Sequence, residues 1–135
     1  MTALLLALAL ALPGHAAQVG SVTELLKKDL PGIEGKEGLM ITVDIAPGET
    51  VPAHRHNAAV FAYVLEGDIT TQIEGHSTLT LHAGQSFYEA PSDVHLPSRN
   101  LSNSKPAKLL VFFVKDSGAP PTVVISPDAA SHGRH

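Results

Sequence analysis

The chain has 135 residues, too few for two ordinary domains and enough to bury one core. It is 44% hydrophobic and 16% charged with a formal net charge of -4, which excludes a chain disordered by composition and argues against nucleic acid as a partner. Cysteine is absent and histidine is abundant, with eight residues at 15, 54, 56, 76, 82, 95, 132 and 135, so any metal must be held by nitrogen and oxygen donors and no disulfide braces the fold.

The run from Ala3 to Leu12 is apolar throughout, and Pro13-Gly14-His15-Ala16 places small residues where a signal peptidase reads. Residues 1–16 are therefore read as a signal peptide cleaved after Ala16, which sends the mature protein to the periplasm or the medium. The run is shorter than the roughly twenty residues that a bilayer core of about 30 Å requires, so no stable membrane span is expected. Ser21-Val22-Thr23-Glu24 has the form of a capping box and is followed by Leu25-Leu26-Lys27-Lys28, which predicts a short helix within an N-terminal segment 17–37, ending at Leu30-Pro31-Gly32.

From Gly38 the pattern changes to short runs of β-branched and aromatic residues broken by glycine or proline at intervals of roughly ten residues, the pattern of an all-β sandwich or barrel. Strands are predicted near 39–46, 51–56, 59–66, 68–74, 77–82, 86–89, 95–99 and 108–115. Turns fall at Pro47-Gly48, Glu66-Gly67-Asp68, Glu74-Gly75 and Ala83-Gly84. The barrel is bounded at 38–118. Residues 119–135 form a C-terminal tail whose last part, after Pro127, lacks apolar periodicity and is expected to be mobile.

The chemistry begins at His54-Arg55-His56. In a strand both histidines face one side and Arg55 the other. The bland alternative for such a pair is two solvated or hydrogen-bonded imidazoles. His95, at the start of a later strand after a proline turn, is the best third nitrogen donor, and three neutral imidazoles leave coordination positions open.

The spacing around these residues resembles the cupin superfamily. The first cupin motif, Gly, five residues, His-x-His, then Glu and Gly, corresponds in every gap to Gly48, His54, His56, Val60 and Gly67, with valine in place of the glutamate. The second motif is similar to the stretch from Gly84 to Asn100. There Gly84 and His95 keep their separation, proline and asparagine fall one position late, and Ser92 stands for a glycine. The resemblance extends from about Gly38 to Lys115. It implies an all-β, double-stranded β-helix (jelly-roll) cupin barrel, which the short helix read from the capping box would precede, and it implies a homodimer.

The same resemblance implies that His54, His56 and His95 hold a divalent metal, of which Fe, Zn, Ni, Mn and Cu all suit imidazole donors. Val60 cannot bind a metal. Loss of that carboxylate leaves either a three-histidine centre, like that of the thiol dioxygenases of the superfamily, or a decayed site that binds a small molecule without chemistry. The preferred function is a metal-dependent enzyme of dioxygenase type acting on a small molecule. The alternatives are a non-catalytic binding or sensing cupin and a metal-dependent isomerase or lyase. Glu89 and Tyr88 are the candidate proton-transfer groups. Glu89 and Gln72 are candidate oxygen donors or orienting partners, and Phe61, Tyr63 and Phe87 are candidate substrate contacts. His76 and His82 read as surface residues.

Overall fold

The structure, a computed structural model, describes residues 20–126. The expected leader over 1–16 and the tail after Pro127 lie outside the described residues. Twelve strands are present among these: β1 (Ser21–Asp29), β2 (Lys36–Ile45), β3 (Thr50–Val51), β4 (His54–Arg55), β5 (Ala58–Glu66), β6 (Asp68–Thr71), β7 (Leu79–His82), β8 (Ser86–Glu89), β9 (Val94–His95), β10 (Ser98–Asn100), β11 (Ala107–Asp116) and β12 (Val123–Val124). They form a five-stranded sheet in the order β1-β2-β11-β5-β8, a four-stranded sheet β3-β10-β6-β7 and a three-stranded sheet β12-β4-β9. The architecture is an all-β jelly roll. Among the described residues no helix is long and apolar enough to cross a membrane.

Alternation along each long strand sorts side chains between the barrel interior and its surface. In β5, Ala58, Val60, Ala62 and Val64 are buried while Phe61, Tyr63 and Leu65 are exposed. In β11 the buried set is Ala107, Leu109, Val111, Phe113 and Lys115. Each large apolar side chain fully withdrawn from water contributes about 1.5–3 kcal/mol, which is what sets the register of these strands. At the β5–β6 hairpin, Gly67 has a φ of +81°, and a side chain there would come within 2.9 Å of the Ala107 Cβ, so the turn requires glycine on both counts.

The short N-terminal helix is not formed. Residues 21–29 are instead the edge strand β1, paired antiparallel to β2 from Ser21 opposite Asp44 to Asp29 opposite Glu37, with a bulge between Glu24 and Leu26. All nine residues are exposed, so a helix at this place would have no buried face to support it. An isolated helix of this length is marginal in water, whereas the free edge of β2 offers a hydrogen-bonding partner to the whole segment.

The segment 119–126, assigned to the tail by its sequence, is built into the barrel. Val123 and Val124 pair with Arg55 and His54, so β12 extends the sheet that carries the histidines. The approach to β12 is anchored by Lys115, whose Nζ is buried against the Glu37 carboxylate and also donates to the carbonyls of Asp116 (3.1 Å) and Ala119 (2.6 Å). Lys36 and Asp116 form a more exposed ion pair at 2.5 Å beside it.

Candidate metal centre

The histidine pair sits where sequence spacing predicts. His54 lies directly opposite His95 in the β4–β9 pair, so their side chains share a face. His56 follows two residues after His54 on the same side, while Arg55 is exposed. All three imidazoles are buried, at 5–7% exposure. The ring centroid of His54 is 4.8 Å from that of His56 and 4.7 Å from that of His95.

His95 arrives on a turn held by the backbone. Ser92 adopts a φ of +71°, the only non-glycine in that region among the described residues. This is the position where the second cupin motif carries glycine, so serine retains the turn at a cost of about 1–2 kcal/mol. The Ser92 amide donates to the His56 carbonyl at 3.0 Å, and the Asp93 amide donates to the Ala90 carbonyl at 3.1 Å, tying the turn to the first histidine segment.

Backbone carbonyls orient two of the rings. His54 Nδ1 donates to the Pro52 carbonyl at 2.9 Å, and His56 Nδ1 donates to the Pro121 carbonyl at 2.8 Å with the Thr122 hydroxyl 3.1 Å away. With the proton on Nδ1, each Nε2 presents a lone pair to the interior. Burial holds all three imidazoles below their usual pKa: His54 is lowered, His56 falls to about 4 and His95, further opposed by its two histidine neighbours, to about 3. The rings are therefore neutral and available as donors at pH 7.

Glu89 completes the group. It is 3% exposed at the end of β8 and stands directly opposite Val60 in the β5–β8 pair, so both side chains point inward at one level. The valine that occupies the family's carboxylate position is thus the cross-strand neighbour of a carboxylate supplied by the next strand. Donor atoms of His54, His56 and Glu89 all lie within 4.8 Å of one another. Glu89 Oε2 is 3.5 Å from His56 Nε2, and Oε1 is 3.4 Å from His95 Nε2. His95 Nε2 is also hydrogen-bonded to the Thr71 hydroxyl, which places this third imidazole at the margin of the donor group.

The orphaned Glu89 oxygen tests whether a cation fits. Glu89 Oε2 and His95 Nδ1 are buried without hydrogen-bond partners. Oε2 faces the lone pair of His56 Nε2, and two such acceptors are compatible only with a proton or a cation between them. Burial, reinforced by Asp93, pushes the Glu89 pKa up to about 7, so the metal-free pocket holds that proton near neutrality. A divalent ion held between Glu89 Oε2 and His56 Nε2 satisfies those two atoms without it.

The remaining sequence candidates separate by strand alternation. Tyr88, Phe61 and Tyr63 are 52%, 53% and 44% exposed on the outer face of the five-stranded sheet, so they neither transfer protons at the centre nor line the interior. Gln72 is turned toward the β6–β7 hairpin, where it donates to the His76 carbonyl at 2.7 Å and accepts from the Thr78 hydroxyl at 2.8 Å, and it supplies no oxygen to the site. Phe87 is half-buried and faces inward, stacked parallel to the His95 ring at 6.1 Å. His82 is exposed and hydrogen-bonded to Asp68 at 2.6 Å. Pro121, Thr122 and Thr71, which orient two of the three rings, carry no signal in the sequence, because each reaches its histidine through tertiary packing.

The group opens onto a cavity of about 480 Å³ between the sheets, walled mainly by aliphatic side chains and by Phe87 and Phe113. With this geometry in place, a cupin domain is matched over residues 41–113, more than half of the chain. The chain belongs to the cupin family. No curated protein is significantly similar to it in sequence. Among solved structures, this cupin is similar to oxalate oxidase in complex with the substrate analogue glycolate, at 29% identity and a TM-score of 0.60, covering 78% of this chain and 54% of that one. It is also similar in fold to the DMSP lyase DddQ from Ruegeria pomeroyi DSS-3 (21% identity, TM-score 0.58, 67% and 44% coverage). The Schizosaccharomyces pombe Cnp3 cupin domain shares the fold as well (16%, 0.60, 79% and 68%). The chain spans about half the length of the oxidase and the lyase.

Proposed function

We propose that this cupin holds a divalent metal, drawn from Fe, Zn, Ni, Mn and Cu, through His54, His56 and Glu89 with His95 as a further donor. We propose that it uses this centre for dioxygenase-type chemistry on a small molecule bound in the adjoining cavity. The observation that carries this reading is the approach of His54, His56 and Glu89 donor atoms to within 4.8 Å inside a buried pocket, where Glu89 Oε2 has no other partner. When bound, such a metal supplies Lewis acidity or, as Fe(II), activation of oxygen beside a chelated substrate. The chain's own contributions are separable. The carbonyls of Pro52 and Pro121 hold two rings in the tautomer that donates from Nε2. The aliphatic walls give the centre a mainly apolar surround. Glu89, when not engaged by a cation, is a carboxyl with a pKa near that of the medium and exchanges a proton with a substrate group at the same pole.

Elemental analysis of anaerobically purified protein tests the centre. About one divalent ion per chain is expected, falling to background in H54A/H56A while the β-sheet circular dichroism is retained. A wild-type protein that is metal-free and takes up none of the five ions overturns the proposal.

The same reading includes a homodimer and export of the mature chain to the periplasm or the medium. The dimer is supported by a cross-strand row on the outer face of the large sheet. Leu26, Met40, Phe112, Phe61 and Tyr88 stand in register across β1, β2, β11, β5 and β8. Phe61 and Tyr88 are half-exposed, with rings 5.2 Å apart. A continuous apolar stripe of this kind favours association with another apolar surface. Light scattering after size exclusion is expected to give a dimer for wild type and a monomer for F61E. A monomeric wild type at micromolar concentration removes the homodimer from the reading.

A further inference from the structure

We infer that the molecule this cavity accepts is a predominantly apolar compound with a metal-chelating group at one end and a hydrogen-bond acceptor that meets Ser98, and that it is not a small dianion. The chelating end rests on the metal centre proposed above; the apolar body and the Ser98 contact rest on the cavity alone.

At about 480 Å³ the cavity falls within the size range of small-molecule sites and exceeds what a two-carbon acid fills. Its walls include Ile41, Val43, Val51, Ile69, Leu109 and Val111, whose side chains satisfy no hydrogen bonds of a ligand or of water. Among the described residues that line it, none is lysine or arginine, and the two carboxylates are Glu89 at the metal pole and the exposed Glu24 on β1. A dianion entering this space finds no positive side chain to replace its hydration, and it passes a carboxylate of its own sign. The metal alone would have to compensate both charges.

Ser98 is a buried polar residue of the cavity lining outside the proposed donor group. It is 4% exposed, lines the cavity, and its Oγ has no hydrogen-bond partner. Its neighbour two residues on, Asn100, points to the same side of β10 and has its amide fully engaged by the carbonyls of Ile45, Ala46 and Lys105 and the amide of Ser102. The strand thus places one satisfied polar side chain for the fold and one unsatisfied, buried hydroxyl on a residue that lines the cavity. A buried hydroxyl without a partner costs free energy that a ligand acceptor recovers on binding.

The test is calorimetric titration of the full chain loaded with Zn(II), using alkyl hydroxamates as chelating probes. Octanohydroxamate is expected to bind at least about 100-fold more tightly than acetohydroxamate, since each buried methylene contributes roughly fourfold. It is also expected to bind more tightly than oxalate. Among eight-carbon hydroxamates carrying a keto oxygen at successive chain positions, one is expected to gain roughly three- to tenfold over the parent, and S98A removes that gain while leaving the parent's affinity in place. Acetohydroxamate or oxalate binding as tightly as octanohydroxamate overturns the apolar body. The absence of a positional gain, or a gain that survives S98A, overturns the role of Ser98. Octanamide serves as the non-chelating control: if it matches octanohydroxamate while the chain-length preference persists, the metal-centred reading fails and the apolar cavity stands.

Discussion

Glu89→Gln is expected to weaken metal binding by about 100-fold or more and, in the metal-free protein, to raise stability at alkaline pH. The first effect follows from removing an anionic donor from a group whose other members are neutral imidazoles; changes in supporting partners alone cost roughly 10–100-fold. The second follows from the cost of ionising Glu89 in the empty pocket. Its pKa is raised from 4.5 to about 7 by burial and by Asp93. A group with a raised folded-state pKa contributes stability that is present below its unfolded value and lost as pH rises through the folded one, so Glu89 weakens the metal-free fold progressively between about pH 4.5 and 7. Glutamine carries no such penalty. At pH 8 the metal-free variant is expected to exceed wild type by about 2 kcal/mol, or roughly 5–10 °C in Tm, measured by calorimetry after chelation.

The histidines act with the opposite sign. Their depressed pKa values, about 4 for His56 and about 3 for His95, mean that stability present above pH 6.5 is lost as pH falls toward those values, in wild type and variant alike. An acid limb common to both proteins and an alkaline difference confined to wild type is therefore the expected signature. Because Val60 and Glu89 face each other across one strand pair, the double exchange V60E/E89V is expected to recover metal affinity to within about tenfold of wild type. If E89Q binds metal as wild type does, the carboxylate is not a ligand and the centre consists of imidazoles alone.

Asn100→Ala is expected to cost about 3–5 kcal/mol in equilibrium denaturation, enough to leave little of a typical domain's stability. The residue is fully buried, and its Nδ2 lies within hydrogen-bonding distance of the carbonyls of Ile45 (3.1 Å), Ala46 (3.2 Å) and Lys105 (2.8 Å). Its Oδ1 accepts from the Ser102 amide at 3.0 Å. One side chain therefore joins the end of β2 to the loop before β11, and truncation leaves buried backbone groups without partners. Asn100→Asp is expected to be nearly as damaging, because a carboxylate cannot donate to those carbonyls. A loss below 1 kcal/mol for N100A would show that water replaces the amide.

Much of the barrel is legible along the chain. The alternation of β5 and β11, the glycine turn at Gly67 and the period-2 placement of His54 and His56 all follow from local rules, since a strand's pleat depends on its own residues. The predicted helix over the capping-box segment fails for the complementary reason. Its preference is weak and local, and the open edge of β2 overrides it with a ladder that no reading of residues 21–29 alone contains. Phe61, Tyr63 and Tyr88 carry side chains suited to a binding site, but alternation along β5 and β8 turns them to the exposed outer face.

The amino-acid order by itself determined an all-β chain with two histidines on one face, a third imidazole in a separate turn-strand unit, and a valine where the family's carboxylate stands. It did not determine what replaces that carboxylate. Tertiary structure placed Glu89 across from Val60, brought Pro121 and Thr122 from a distant segment to orient His56, and left the Ser98 hydroxyl buried without a partner in the lining of an apolar cavity. The physical reason is range: pleat and turn are properties of adjacent residues, whereas donor convergence and burial are properties of strand registers that join residues far apart in sequence.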